Sequence, residues 1–201
     1  MTRILGISGS PRKGGNSDTL LKHILAGAKR TGAITEAIHL RDYQFLGCIG
    51  CEKCRKAKKC IGLQDGMQLI YPKIKKAGGI VLTNPTHNHN VTAWMKAFID
   101  RLYCYYNFSE ERPGSWSSRL AGQNRKAIIA SIGEQNSYEE GIGFALEAMR
   151  IPIKDLGFEV IAELPVLGVF GKGGIGKDVL QQAEVLGSEL AKQLGSARSV
   201  A

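Results

Sequence analysis

The sequence has no long hydrophobic run. No window approaches the ~20 apolar residues of a membrane-spanning helix, and the apolar stretch near the N-terminus is too short and too soon interrupted for a signal peptide. Internal repeats, low-complexity tracts and linkers are also absent, so we expect residues 1–201 to form one domain with a sizeable core. We therefore predict a cytoplasmic protein with no membrane partner.

The sequence also lacks nucleic-acid-binding motifs. Lysine and arginine outnumber the acids by 27 to 18, for a net charge of +9, but the cations are scattered with one local concentration. A basic charge without a recognisable motif is weak evidence for nucleic-acid binding. We predict no nucleic-acid partner.

The five cysteines are unevenly distributed. Four of the five cysteines fall within thirteen residues, and Cys104 stands apart. Disulfides are rare in a reducing compartment, so the group of four indicates a metal or redox site. We expect Cys104 to pack as a small hydrophobic side chain.

Hydrophobic periodicity predicts alternating strands and helices. The predicted strands are 3–8, 34–40, 79–84, 126–132 and 158–162. The first predicted helix begins at Ser17 and its apolar face runs through Ala28; the other predicted helices are 67–77, 92–106, 138–152 and 177–194. This order is typical of an α/β fold, a doubly wound five-stranded parallel sheet with helices on both faces. Ligands of such folds bind beyond the carboxyl ends of the strands. The polar segment 109–125 is long enough to be a lid or interface loop.

The segment from Ser8 to Ser17, between the first strand and its helix, has the composition of an anion site. Its glycines let the backbone close around an anion, Ser10, Asn16 and Ser17 offer hydrogen-bond donors, and Arg12 offers a cation. It lacks the spacing of a dinucleotide site and of a P-loop. We predict a site for a mononucleotide phosphate, with a serine-capped helix as the alternative.

The cysteine loop, residues 47–61, carries the most specific motif of the chain. Three thiols lie within seven residues and a fourth follows after five more, at Cys48, Cys51, Cys54 and Cys60. This spacing suits the corners of a [4Fe–4S] cubane better than the two separated pairs typical of zinc, although zinc and unmetallated thiols remain alternatives. The surrounding cations, which would offset the negative charge of such a cluster or guide an acidic partner, are Lys53, Arg55, Lys56, Lys58 and Lys59.

A second glycine-rich segment, Gly171 to Asp178, comes within one residue of a Walker A loop. Asp178 stands where a serine or threonine would bind Mg²⁺. Too few residues follow for the remaining parts of a nucleotidase. We therefore interpret this segment as a loop leading into the last helix.

The motifs along nearly the whole chain resemble one known family, the iron–sulfur flavoproteins of the NAD(P)H-dependent FMN reductase superfamily, which have a flavodoxin-like fold. The resemblance rests on GSPRKGGNS, on the cysteine loop leading to Gln64-Asp65-Gly66-Met67, on Asn84-Pro85-Thr86, and on Met95 through Arg101. It implies FMN and a [4Fe–4S] cluster as cofactors. It also implies a homo-oligomer, a dimer or tetramer.

The resemblance implies particular residues for each cofactor. The implied phosphate contacts are Ser10, Arg12, Asn16 and Ser17; the implied ring contacts are Pro85, Thr86, His87, Asn88, Asn90 and Val91; the implied remaining wall is Ser131 to Asn136, with Ser131 and Gly133 as contacts; the implied cluster ligands are Cys48, Cys51, Cys54 and Cys60. Relatives usually carry aromatic and small residues where this chain has His87, Asn88 and His89. We predict a flavin contact for at least one histidine, with plain loop polarity or a His-x-His metal site as alternatives.

The resulting functional hypothesis is an oxidoreductase that exchanges electrons between FMN and a [4Fe–4S] cluster, linking a small carrier protein such as ferredoxin to an acceptor. The chemistry would belong to the cofactors, so no catalytic side chain is assigned. Two alternatives are an NAD(P)H-dependent FMN or quinone reductase without a cluster, and a non-catalytic flavin or metal sensor. The predicted core of the fourth helix is Trp94, Phe98 and Leu102, and the candidate subunit interface is Tyr103, Tyr105, Tyr106 and Phe108.

Overall fold

The computed structural model describes residues 2–196 and is built around a five-stranded sheet. The strands are β1 (Arg3–Ser8), β2 (Ile34–His39), β3 (Gly79–Pro85), β4 (Tyr106–Phe108), β5 (Trp116–Ser118), β6 (Arg125–Ile132) and β7 (Phe158–Val166). The helices are α1 (Asn16–Arg30), α2 (Lys53–Ala57), α3 (Met67–Lys76), α4 (Ala93–Arg101), α5 (Tyr138–Gly141), α6 (Ala145–Asp155) and α7 (Lys177–Ser196), with 3₁₀ turns at Leu40–Asp42 and Leu102–Tyr105.

The main sheet has the strand order β2-β1-β3-β6-β7, and every neighbouring pair is parallel. This is the order of the flavodoxin-like doubly wound fold, in which the chain reverses direction across the sheet between β1 and β3. The predicted α/β class is therefore confirmed. The loops after β1 and β3 meet at this reversal point, where such folds bind their ligands.

Alternating side chains of the strands build one core on each face of the sheet. In β3, Val81 packs with α1 and α7, whereas Ile80 and Leu82 pack with α3, α4 and α6. Both faces are thus covered, as a parallel sheet requires. No helix in residues 2–196 is long and apolar enough to cross a membrane.

Helices α1 and α7 approach each other at two glycines. A Cβ atom added to Gly187 would lie 1.8 Å from the carbonyl oxygen of Ile24, and one added to Gly27 would lie 1.9 Å from that of Glu184. No heavier residue fits at this crossing without backbone movement. At its edge, Glu184 accepts hydrogen bonds from His23 and Arg30.

The segment after α4 differs from the prediction. The predicted helix 92–106 ends at Arg101, and β4 then pairs with β5, which lies in the predicted loop 109–125, in a two-stranded antiparallel sheet. Aromatic cross-strand contacts favour this pairing, because the rings of Tyr106 and Trp116 meet edge to face at 5.2 Å. Trp94 was predicted to be core but is 40% exposed, since the buried stripe of α4 runs through Met95, Phe98 and Ile99.

The predicted helix 138–152 is two helices, α5 and α6. Gly143 adopts φ +53° between them, and the backbone N–H of Phe144 donates to the carbonyl of His89. A side chain at Gly143 would collide with His89, so this contact with the loop after β3 interrupts the helix. The fifth predicted strand also runs further than expected, to Val166.

Candidate functional site

The loop between β1 and α1 presents the start of a helix that no side chain caps. Gly15 precedes α1 in an extended conformation. Ser17 in the first turn is 2% exposed, and its hydroxyl has no hydrogen-bond partner among the described residues. Free amides at a helix N-terminus and an unsatisfied buried hydroxyl together make a suitable anion site.

A cavity of about 510 Å³ lies between this loop and the loop after β3. The predicted site residues that line it are Ser10, Arg12, Asn16, Ser17, Pro85, Thr86, His87 and Asn88. The structure thus brings both predicted groups, phosphate and ring contacts, to one cavity at the reversal point of the sheet. Its size and mixed lining suit a small cofactor.

The remaining predicted flavin contacts do not line this cavity. Asn90 pairs with His87 through two backbone hydrogen bonds that close a tight turn, and Val91 is buried in the core. Ser131 donates to the Asn84 carbonyl at 3.2 Å. Gly133 permits close backbone packing, because an added Cβ atom would lie 2.0 Å from the Gly141 oxygen. These four residues therefore lie behind the residues that line the cavity and support them.

His87 and His89, the pair in the alternative of a His-x-His metal site, have different surroundings. His87 is exposed and the ring of His89 lies 3.4 Å from the backbone oxygen of Glu139. Between residues 2 and 196, no three histidine, cysteine or carboxylate side chains stand as a ready-made metal-binding group. The position of His87 on the cavity leaves a flavin contact as its predicted role.

A buried carboxylate, Asp18, holds the phosphate loop in shape. It accepts hydrogen bonds from the Ser8 hydroxyl at 2.7 Å, from the Gly14 amide at 2.8 Å and from the Arg41 guanidinium at 2.8 Å. Arg41 also donates to the carbonyl of Ser10. Burial by itself would raise the pKa of Asp18, but the hydrogen bonds from Arg41, Ser8 and Gly14 outweigh burial and hold the pKa below its usual value.

This network predicts an acid-sensitive contribution to stability. Because the pKa of Asp18 is lower in the folded than in the unfolded state, its contribution is fully present above the unfolded value of about 4 and disappears as the pH falls through the folded value. The stability advantage of the wild-type protein over Asp18→Asn should therefore shrink below pH about 4. Urea unfolding of both proteins between pH 7 and pH 3 measures it; a constant advantage would contradict the prediction.

Sequence reasoning missed three residues that complete this cavity. Val169, Gly171 and Lys172 line it beside the predicted contacts, whereas Glu134 belongs to the predicted wall from Ser131 to Asn136. Gly171 and Lys172 belong to the segment that resembles a Walker A loop, which comes close to Asn16 although it lies 155 residues away in sequence. The glycines and the lysine of this segment are typical of phosphate binding, but the neighbouring sequence does not indicate that the segment lies beside the loop after β1.

The four clustered cysteines line a second cavity, of about 360 Å³. Cys48 and Cys51 are exposed in a stretch without regular structure. Cys54, within α2, and Cys60, after the end of α2, are half-buried. Gly62 leaves room for the Cys51 sulfur, which would lie 2.5 Å from an added Cβ atom. All four cysteines line this cavity, although no three of them within residues 2–196 are close enough together to hold a metal ion as they stand. Four thiolates are the ligand set that a [4Fe–4S] cluster takes.

Arg101 connects the two ends of the cysteine loop through hydrogen bonds. Its side chain is 1% exposed and donates to Asp65 at 2.6 and 3.0 Å and to the Leu46 carbonyl at 2.8 Å. It also lies 3.5 Å from the Cys60 sulfur. Arg101 and Asp65 were present in the family-like motifs without an assigned role. Two sequence features could have indicated their role: a charged residue on the buried face of α4, and an acidic residue just before α3.

Burial, hydrogen bonds and nearby charges give the thiols around this cavity different pKa values. Burial would raise the pKa of Cys60, but the Leu63 amide and the charge of Arg101 lower it below its usual value. Burial and the neighbouring Cys60 raise the pKa of Cys54. Cys104, buried as predicted, also lines the cavity, and burial raises its pKa to about 11. Cys104 is therefore a neutral thiol at pH 7.

The sequence is similar to those of known proteins. The model of the family described as NADPH-dependent FMN reductase matches residues 2–137. An iron–sulfur flavoprotein of Archaeoglobus fulgidus is 29% identical over 194 residues, covering 96% of this chain and 81% of the relative. One from Methanocaldococcus jannaschii is 38% identical over 99 residues, covering 49% of this chain and 51% of the relative.

Solved structures share the fold. A flavone reductase superposes with a TM-score of 0.71 at 18% identity over 98% of this chain, which corresponds to 64% of that protein. The family match includes the loops after β1 and β3 and the cysteine loop, and it confirms the resemblance inferred from the motifs. The chain belongs to the NADPH-dependent FMN reductase family and is a flavoprotein oxidoreductase.

Proposed function

We propose that this protein binds FMN between the loops after β1 and β3, binds a [4Fe–4S] cluster through Cys48, Cys51, Cys54 and Cys60, and transfers electrons between the two groups. The observation that carries the proposal is the presence of two separate cavities, one lined by the phosphate-loop residues and one by all four clustered cysteines. When bound, FMN supplies one- or two-electron chemistry and the cluster supplies one-electron chemistry. The protein's residues bind and orient both.

In the first cavity, the phosphate loop supplies the binding energy for FMN. Arg12 and the Ser17 hydroxyl are available to a phosphate, because Asp18 and Arg41 hold the loop backbone from behind. The loop after β3 supplies the wall against which a ring would lie. His87 stands on that wall and is available as a hydrogen-bond donor to a flavin.

In the second cavity, Arg101 supplies a fixed positive charge beside the cluster ligands. It is held by Asp65 and contacts Cys60, so the four thiolates of a bound cluster would be partly balanced by a cation. A positive charge stabilises the reduced, more negative cluster and raises its reduction potential. Thiol ligands persist in a reducing compartment, which supports a cytoplasmic location.

A basic rim around the cysteine loop supports a small acidic electron carrier, such as ferredoxin, as the partner. Lys53, Lys56, Lys58 and Lys59 are exposed or half-exposed there. The single acid among them, Glu52, is paired with Arg112. Complementary charge of this kind accelerates the association of redox partners.

A homo-oligomer is the further part of the proposal. Tyr103, Tyr106, Phe108 and Trp116 form a ring cluster next to the cysteine cavity, with Tyr103 and Phe108 stacked at 4.6 Å. Trp116 is half-exposed, so the cluster offers an aromatic surface to a second subunit. Segment 109–125, which contributes Trp116 through β5, belongs to the same surface.

The second candidate function is an NAD(P)H-dependent FMN or quinone reductase without a cluster. Two observations favour it: the description of the matching family and the absence of a ready-made metal group in residues 2–196. Its cysteines would be ordinary thiols. The two candidates differ in iron content and in the electron donor that they accept.

Iron, acid-labile sulfide, zinc and flavin should therefore be measured on anaerobically purified protein. We expect about four irons and four sulfides per FMN, the composition of one cubane. Cys54→Ser should lose the iron and retain FMN, because it removes one ligand of the second cavity only. Cys104→Ala is the matched control, since Cys104 lines the same cavity but is not one of the four ligands, and it should retain both groups.

Bound FMN without iron, even after cluster reconstitution, would refute the cluster and favour the reductase. Rapid reduction by NADPH or NADH alone would support that alternative further, whereas reduction by a ferredoxin would support the proposal. Protein that binds neither FMN nor iron would refute both candidates.

A further inference from the structure

The glycine-rich loop between β7 and α7, residues 167–176, makes a specific contact with the phosphate loop. The Asn16 side chain donates from Nδ2 to the Gly171 carbonyl at 2.7 Å and accepts at Oδ1 from the Gly173 amide at 3.0 Å. The amide side chain thus uses both its donor and its acceptor on the backbone of one distant loop. Lys172, between these two glycines in sequence, donates from its ammonium group to the Lys13 carbonyl at 3.4 Å.

The loop is anchored at both ends and turned sharply between them. Val169 and Ile175 are buried in the core between the sheet and helices α1 and α7. Gly171 and Gly173 adopt φ +71° and φ +77°, a backbone conformation that favours glycine. The exposed tip that carries Lys172 is therefore held between two fixed points and tied to Asn16.

The cavity beneath this tip has the charge and donors for a phosphate dianion. Arg12 and Lys172 are the cations that line it, and Glu134 is the acid. The buried Ser17 hydroxyl on the same wall has no partner among residues 2–196. A phosphate monoester carries nearly two negative charges at neutral pH and binds best where two cations and free donors converge.

We propose that Lys172 binds the phosphate of the flavin together with Arg12, and that Asn16 latches the glycine-rich loop so that Lys172 is held there. The inference rests on the proposed function, in which this cavity binds FMN. It adds a specificity element for a flavin that carries a terminal phosphate. The loop lies beyond the family match, which ends at residue 137, so membership of the family does not assign it.

The test compares FMN with riboflavin, which lacks the phosphate. Flavin-free full-length protein is titrated with each flavin, and binding is followed by the loss of flavin fluorescence. Lys172→Gln should raise the Kd for FMN about tenfold, the usual effect of losing one charge-assisted contact, and leave the Kd for riboflavin unchanged. Lys177→Gln is the matched control, because it removes the same charge from the start of α7 without lining the cavity, and it should change either Kd less than about twofold.

The latch is tested by combining Lys172→Gln with Asn16→Ala. If Asn16 holds Lys172 in place, Lys172→Gln should weaken FMN binding less than about twofold once Asn16 is already alanine. If Asn16 merely donates to the phosphate by itself, the two effects multiply, and the latch is refuted.

The outcomes separate this inference from the proposed function. Unchanged FMN binding in Lys172→Gln, or an equal loss for FMN and riboflavin, overturns the role of Lys172 while FMN binding by the wild-type protein stands. A wild-type protein that binds no FMN overturns the proposed function and this inference with it.

Discussion

Replacing Arg101 with methionine should lower the free energy of unfolding by about 3–5 kcal/mol, the usual cost of breaking a buried ion pair from one side. The methionine fills a similar volume but leaves Asp65 without its two guanidinium hydrogen bonds. It also removes the donors to the Leu46 carbonyl and the Tyr71 hydroxyl. The cysteine loop therefore loses the contact that joins its two ends. Urea unfolding of the metal-free protein measures the effect.

The control lies on the same helix. Lys96→Met removes one positive charge from an exposed pair with Asp100 and should change stability by no more than about 0.5 kcal/mol. A double variant, Arg101→Met with Asp65→Leu, should recover part of the loss, because no buried charge is left unpaired. If Arg101→Met is as mild as Lys96→Met, the buried pair does not organise the cysteine loop.

Replacing Gly187 with alanine should cost about 3 kcal/mol of stability, at the upper end of the range for overpacking a core. The new methyl group would lie 1.8 Å from the Ile24 carbonyl oxygen, and the colliding atom belongs to the backbone of a helix. Neither side can yield by rotating a side chain, so α1 and α7 must move apart. Thermal unfolding should show a lower Tm.

Gly195 provides the control for helix propensity. It lies in the same helix, and a Cβ atom added there meets nothing within 4 Å. Alanine at this position should be neutral or stabilise the protein by up to about 1 kcal/mol, because alanine favours helix more than glycine does. A stabilising Gly187→Ala would show that the helices adjust freely at their crossing.

The sequence was sufficient to predict the elements and loops whose determining residues lie within one short segment. The strand–loop–helix at Ser8 to Ser17 shows itself by a buried strand, turn-forming glycines and an amphipathic helix, all within one short segment. The cysteine loop is recognisable for the same reason, since its four thiols lie within thirteen residues. The alternation of elements then leaves few topologies, and the observed strand order is the flavodoxin-like one.

The sequence was insufficient wherever a local pattern is overridden by a distant contact. Periodicity predicted one helix over 138–152, but the approach of His89 to Gly143 divides it. Trp94 matched the spacing of a core residue, yet the orientation of α4 on the sheet buries Met95 instead.

Local patterns alone predicted a phosphate loop and a cysteine loop, because the glycines, hydroxyls, cations and thiols that characterise each loop lie close together in the sequence. Only the folded chain pairs each loop with its supports: Arg101 with Asp65 beneath the cysteines, and Lys172 beside Asn16 at the phosphate cavity. Those pairings depend on how the sheet brings together segments that lie 36 and more than 150 residues apart. No spacing rule encodes such separations, since they arise from crossover connections whose lengths vary freely.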